Sequence, residues 1–92
     1  DPVIENQLTA IKNSDAVFRA WAQEYRKSPN ATNARLSMSS AATVLNQYKQ
    51  LVTMYQTSRP PRTADAQKAT EKVEDFNRYI AFYDSEIARL GS

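Results

Sequence analysis

The chain has 92 residues, a net charge of +2, 41% apolar and 24% charged side chains, and neither cysteine nor histidine. That composition suits one domain with a thin core. It excludes disulfide staples, thiol and histidine nucleophiles, the usual zinc sites and histidine-ligated haem. No apolar run approaches the roughly 20 residues of a membrane span.

Asp1-Pro2 reads as a helix start, because Asp accepts the first free amide protons and Pro fits the first helical position. A chain beginning at Asp1 without methionine suits release by a signal peptidase, so a periplasmic or secreted setting is expected. Ile4, Leu8, Ile11, Phe18, Ala22 and Tyr25 then recur at spacings of three and four, with Val3, Ala10, Val17 and Trp21 as a second stripe. The spacing predicts a helix over residues 2–28. Asp15 falls inside the first stripe, where a carboxylate needs a tyrosine hydroxyl or an arginine from a neighbouring helix. No second group is placed to help it in catalysis, and a register role suits it better.

Ser28-Pro29, with Asn30, Thr32 and Asn33 as further candidate caps, opens a second helix over residues 32–58. Asn30-Ala31-Thr32 is also a glycosylation sequon, relevant in a secreted eukaryotic protein. The apolar stripe is Met38, Ala41, Leu45, Tyr48, Val52 and Tyr55, broadened by Val44 and Leu51. The outer face reads as polar but uncharged: Ser37, Ser39, Ser40, Thr43, Asn46, Gln47, Gln50, Thr53 and Gln56. Such residues lose less on desolvation than charged ones, so this face can be covered by another protein at lower cost than a Glu/Lys face.

The segment TSRPPRTAD, residues 57–65, ends that helix, because proline lacks an amide proton and disfavours helix in the residue before it. It lacks the PxxP spacing of an SH3 ligand and reads as a corner. Arg59 can complement the C-terminal dipole of the second helix, whereas Arg62 precedes the third, where the dipole gives a cation no help. Arg62 is therefore a candidate for an outside contact. Thr63 or Asp65 can cap a third helix over residues 63–90. Its seam is Ala66, Ala69, Val73, Phe76, Ile80, Tyr83, Ile87 and Leu90, and Gly91 stands where a left-handed cap belongs. Glu71 and Glu74 with Lys68, Lys72 and Arg78 read as ion pairs of a solvated face.

Three helices of about 25 residues, each nearly 40 Å long, joined by short corners, form an elongated antiparallel up-down-up three-helix bundle. Trp21, Tyr25, Tyr48, Tyr55 and Tyr83 belong to its core or boundary, and Tyr79 lies off the seam and is expected to be exposed. The segment SDAVFRAW, Ser14 to Trp21, resembles the first-helix pattern of spectrin repeats, which are also three-helix bundles. The resemblance covers about a dozen residues; the chain is shorter than a spectrin repeat and its second helix is less charged.

Between Tyr25 and Ala64 the charged residues are Arg26, Lys27, Arg35, Lys49, Arg59 and Arg62, with no acid among them. Folding collects Arg26, Lys27, Arg35 and Arg89 at one end, as a basic tip or as complements to helix dipoles. The functional expectation is a non-enzymatic protein-protein interaction module that uses Ser40, Thr43, Gln47, Gln50, Arg62 and Tyr79. Self-association as a homodimer is a variant of it. The alternative is an anion-binding module that meets nucleic acid or acidic lipid through Arg26, Lys27 and Arg35. No metal or cofactor is expected.

Overall fold

The computed structural model describes residues 1–91. It consists of α1 (Pro2–Lys27), α2 (Ala31–Thr57) and α3 (Thr63–Leu90), running up, down and up over 49 Å. This is the elongated three-helix bundle expected from the sequence, with each boundary within a residue of its predicted place.

The caps show how local chemistry sets those boundaries. Asp1 Oδ1 accepts the Val3 amide at 2.9 Å and starts α1. Ser28 ends α1 rather than starting α2; Asn30 is the cap of α2, its Oδ1 accepting the Asn33 amide at 2.8 Å. At α3 neither Thr63 nor Asp65 is the cap. Arg62 holds that position without a side-chain acceptor. Its Nε and Nη2 instead reach Asp65 Oδ2, both at 2.9 Å, and its guanidinium lies 4.8 Å from the centre of the Tyr55 ring. The Arg62 amide also donates to the Tyr55 carbonyl at 2.9 Å. The TSRPPRTAD corner is thus closed by its own arginine.

Gly91 departs from expectation. Its backbone is right-handed (φ −96°, ψ −1°), and its amide donates to the Ile87 carbonyl at 2.7 Å. What suits glycine there is space: a Cβ would fall 2.7 Å from that carbonyl and 2.9 Å from Arg35 Nη2. The missing side chain lets the Arg35 guanidinium lie against the C-terminal end of α3, where a cation is favoured.

The core follows the predicted stripes. Ile4, Ile11, Phe18 and Tyr25 of α1, Ala41, Val44, Leu45, Leu51 and Tyr55 of α2, and Ala66, Ala69, Phe76 and Tyr83 of α3 are buried. Packing is not equal among the three pairs, however. α2 packs along both neighbours, whereas among the described residues no Cα of α1 lies within 8 Å of a Cα of α3. Aromatic rings span that gap. Phe18 meets Phe76 edge-on at 5.3 Å and stacks on Tyr79 at 5.5 Å, and Tyr25 meets Tyr83 edge-on at 5.4 Å. Because α1 has only one close backbone neighbour, the flanks of its apolar arc are left uncovered. Val3, Leu8 and Val17 are exposed, although Leu8 belongs to the predicted core stripe.

Ser37 was expected on the outer face of α2 and instead is 0% exposed. Its position explains this: 34, 37, 41 and 44 form a three-four stripe with Ala34, Ala41 and Val44, all buried. Its Oγ makes no hydrogen bond of ordinary geometry among the described residues, although it lies close enough to the Tyr83 hydroxyl to lower that phenol's pKa. An enclosed hydroxyl without a partner is destabilising, and Ala is the better helix former. Ser37→Ala should therefore raise stability by roughly 0.5–2 kcal/mol. Urea unfolding checks this; a midpoint below that of the parent chain would show that the hydroxyl has a partner in solution.

Candidate interaction surfaces

The side of α2 opposite the core carries Thr32, Leu36, Ser39, Thr43, Asn46, Gln50, Thr53 and Thr57. Their spacing alternates four and three along the whole helix, and every one is exposed. None is charged. Beside it on α1 runs a second uncharged stripe of the same spacing: Val3, Gln7, Ala10, Ser14, Val17 and Trp21. Gln7 ties the two stripes together, its Nε2 donating to the Gln47 carbonyl at 2.9 Å and to Gln50 Oε1 at 3.0 Å. Several hydroxyls here are turned onto their own helix. Thr57 donates to the Thr53 carbonyl at 2.8 Å, Thr43 to Ser39 at 3.4 Å, and Ser40 lies within reach of the Leu36 and Ser37 carbonyls at 2.9 and 3.0 Å.

The predicted contact residues divide among three places. Thr43 and Gln50 stand on this outer face. Ser40 and Gln47 are half-buried beside it towards α1, and Gln47 Oε1 is enclosed without a partner among the described residues. Arg62 is occupied at the corner by Asp65 and Tyr55. Tyr79 is 43% exposed, as expected, but lies on the opposite side of the molecule, stacked on Phe18.

That opposite side is an open cleft between α1 and α3. One section, of about 440 Å³, is lined by Asp15, Arg19 and Arg26 of α1, Tyr48 of α2, and Lys72 and Tyr79 of α3, among others. An adjoining groove of 190 Å³ between α2 and α3 shares Tyr48 and Lys72 with it and runs towards Tyr55, Asp65 and Lys68. Asp15 finds its partner here, on its own helix rather than a neighbour: Arg19 Nε lies 2.7 Å away, and the carboxylate side chain stays 24% exposed. On the facing bank Arg78 bonds Asp75, not Glu74 as predicted, and among the described residues Glu71 and Glu74 have no ion pair. The sequence reading passed over Phe82, which is 52% exposed and edge-on to Tyr25 across the gap. The available signal was its place three residues after Tyr79, off the three-four seam.

At the end carrying Arg26, Lys27, Arg35 and Arg89, most of the charge is used inside the molecule. Lys27 faces Glu24 at 3.8 Å, Arg35 lies against the end of α3, and Arg89 grips Glu86 through Nη2 at 2.7 Å and Nε at 3.1 Å. Glu86 also accepts a hydrogen bond from the buried Tyr25 hydroxyl, which joins α1 to α3. Burial first, then the Glu86 carboxylate, pushes the Tyr25 phenol above its ordinary pKa. The Arg89 and Tyr25 hydrogen bonds hold Glu86 down to about 2. Elsewhere, burial and then the Asp15 charge raise the Tyr48 phenol, and burial raises Tyr83 against opposing effects of Ser37 and Arg26.

Among the described residues no three His, Cys, Asp or Glu side chains are grouped to hold a metal ion, and no helix is long and apolar enough to cross a membrane. No protein-family model, curated protein or solved structure matches the chain. The spectrin-like octapeptide thus remains a local likeness.

The Glu86 network has a pH signature. Its folded pKa is depressed from 4.5 to about 2, so its contribution is present above the unfolded value and is lost as pH falls from about 5 towards 2. The thermal stability gap between the parent chain and Glu86→Gln should therefore be widest near neutrality and close in acid. Calorimetry across that range checks it. A gap of constant size would mean that the carboxylate is not the stabilising species.

Proposed function

We propose that the protein is a non-enzymatic interaction module that binds another polypeptide through the uncharged outer face of α1 and α2. The observation that carries this reading is the charge-free four-three stripe of α2, from Thr32 to Thr57, every member of which is exposed. A soluble helix ordinarily sets charged residues on the face turned from its core. Here that face carries Thr, Ser, Asn, Gln and Leu, whose removal from water is cheaper than that of a charge. The back-bonded hydroxyls strengthen the case, since a covered Thr43 or Thr57 already has an acceptor and leaves no orphan donor.

Size agrees as well. A helix of 27 residues is about 40 Å long, and two packed helices are about 20 Å wide. The product, about 800 Å², is one partner's share of a standard specific interface. Exposed Val3, Val17 and Leu36 supply apolar contact within it.

The immobilised chain, challenged with nuclease-treated extract of its source, should retain a protein through a high-salt wash. It should lose that protein when Thr43 and Gln50, both exposed, become Glu. Sedimentation of the purified chain distinguishes a second copy from a foreign partner on this face. Retention of nucleic acid or acidic lipid alone, released by salt and abolished by Arg26→Glu with Lys27→Glu, would replace this reading with anion binding.

A further inference from the structure

The cross-section of the bundle is 20 × 14 Å. Three helices in mutual contact, at about 10 Å between axes and with Cα radii of about 2.3 Å, would measure about 15 × 13 Å. Three corners of a square at the same spacing would measure about 19 × 12 Å. The observed shape is closer to the second, with α1 and α3 on a diagonal and α2 between them. The absence of close α1–α3 backbone approach says the same. The vacant corner is the cleft; Tyr79 stands exposed in it, and the exposed Phe82 lies edge-on to Tyr25 across the same gap, next to the lining residue Tyr83.

Charge in the cleft is one-sided once internal pairs are counted. Three carboxylates line it and the adjoining α2–α3 groove, and each has its own arginine: Asp15 with Arg19, Asp65 with Arg62, and Asp75 with Arg78. Arg26 and Lys72 also line the cleft and Lys68 the groove that adjoins it, and among the described residues none of the three has a carboxylate within 4.0 Å. The negative charge is neutralised within the chain, and the positive charge is left for an occupant.

The geometry points to the α1–α3 cleft as the seat of a fourth helix, an acidic amphipathic helix of a different polypeptide. Its apolar residues, three and four apart, would lie on Tyr48, Tyr79 and Phe82. Its carboxylates would meet Lys68, Lys72 and Arg26. From Asp65 to Tyr83 the α3 bank runs about 27 Å, enough for five turns. A second copy of this chain fits poorly: α2 carries no acid, and the apolar seams of α1 and α3 are already buried in their own core. The cleft faces away from the uncharged outer face, so either surface can fail without the other.

The test is a displayed library of 21-residue helices with Leu fixed at three-four spacing and Glu, Lys or Gln randomised at the flanking positions. Selection on the intact chain should enrich Glu over Lys. A peptide from the enriched pool should bind 1:1 by calorimetry and shift the Ala22, Tyr79 and Phe82 resonances. Lys68→Glu with Lys72→Glu, both at exposed positions and checked for an unchanged helical signal, should weaken it at least about tenfold. Thr43→Glu with Gln50→Glu should leave it unchanged. Phe82→Ala, which removes apolar contact without touching charge, should weaken it too. An empty selection would overturn the proposal, as would a pool without acidic bias, binding indifferent to the lysine changes, or shifts confined to the outer face.

Discussion

Aromatic rings, not backbone contact, set the distance between α1 and α3. A pair of helices packed through Ala or Ser approaches to the short end of the usual 8–10 Å range. Here Phe18 of α1 meets Phe76, Tyr79 and Tyr83 of α3 across the gap at centroid distances of 5.3 to 6.3 Å, and rings of that size hold the backbones apart. Most of the small core residues are in α2, where Ala34, Ser37 and Ala41 are fully buried; α3 adds Ala66 and Ala69. They let α2 lie close to its neighbours while the rings wedge those neighbours away from each other. The cleft, the exposure of Tyr79 and Phe82, and the uncovered flanks of α1 all follow from this distribution of bulk.

Dipoles explain the distribution of charge along the chain. α1 and α3 are parallel, so both C-termini lie at one end beside the N-terminus of α2. Two negative helix ends then outweigh one positive end. Arg26 and Lys27 close α1, Arg89 closes α3, and Arg35 reaches from the second turn of α2 to the end of α3. An acid near the start of α2, which an isolated helix would favour, would face these two C-termini. The acid-free middle of the sequence is consistent with that geometry.

Periodicity carried the fold because it reports directly on burial. The α3 seam from Ala66 to Leu90 is buried or partly buried throughout, with no residue out of place. What periodicity could not report was the spacing between helices. Leu8 has the spacing of a core residue, but its flank has no close backbone neighbour, and a single helix's pattern does not say how near the second neighbour lies. Ser37 failed for the opposite reason: its chemistry suggested a surface, although its register with Ala34, Ala41 and Val44 placed it inside. The outer face was legible in composition, and Thr43 and Gln50 stand on it. The cleft was not, since Lys68, Lys72 and Asp75 look like any solvated helix surface until the ion pairs of Asp15, Asp65 and Asp75 are seen to leave the lysines over.

The two surfaces make opposite demands on α2, and its sequence satisfies both. Residues 180° apart on a helix are independent in contact but share one backbone. Tyr48, Leu51 and Tyr55 face the cleft, where large side chains form its floor. Asn46, Gln50 and Thr53 face outward, where small and uncharged side chains keep the surface flat and cheap to dehydrate. A charged outer face would have been the ordinary way to keep such a helix soluble. Most of the charge is carried instead by α1 and α3, so it and the uncharged outer face of α2 are kept on different helices. This division leaves one helix free to present an uncharged stripe along its full length without exposing a continuous apolar one.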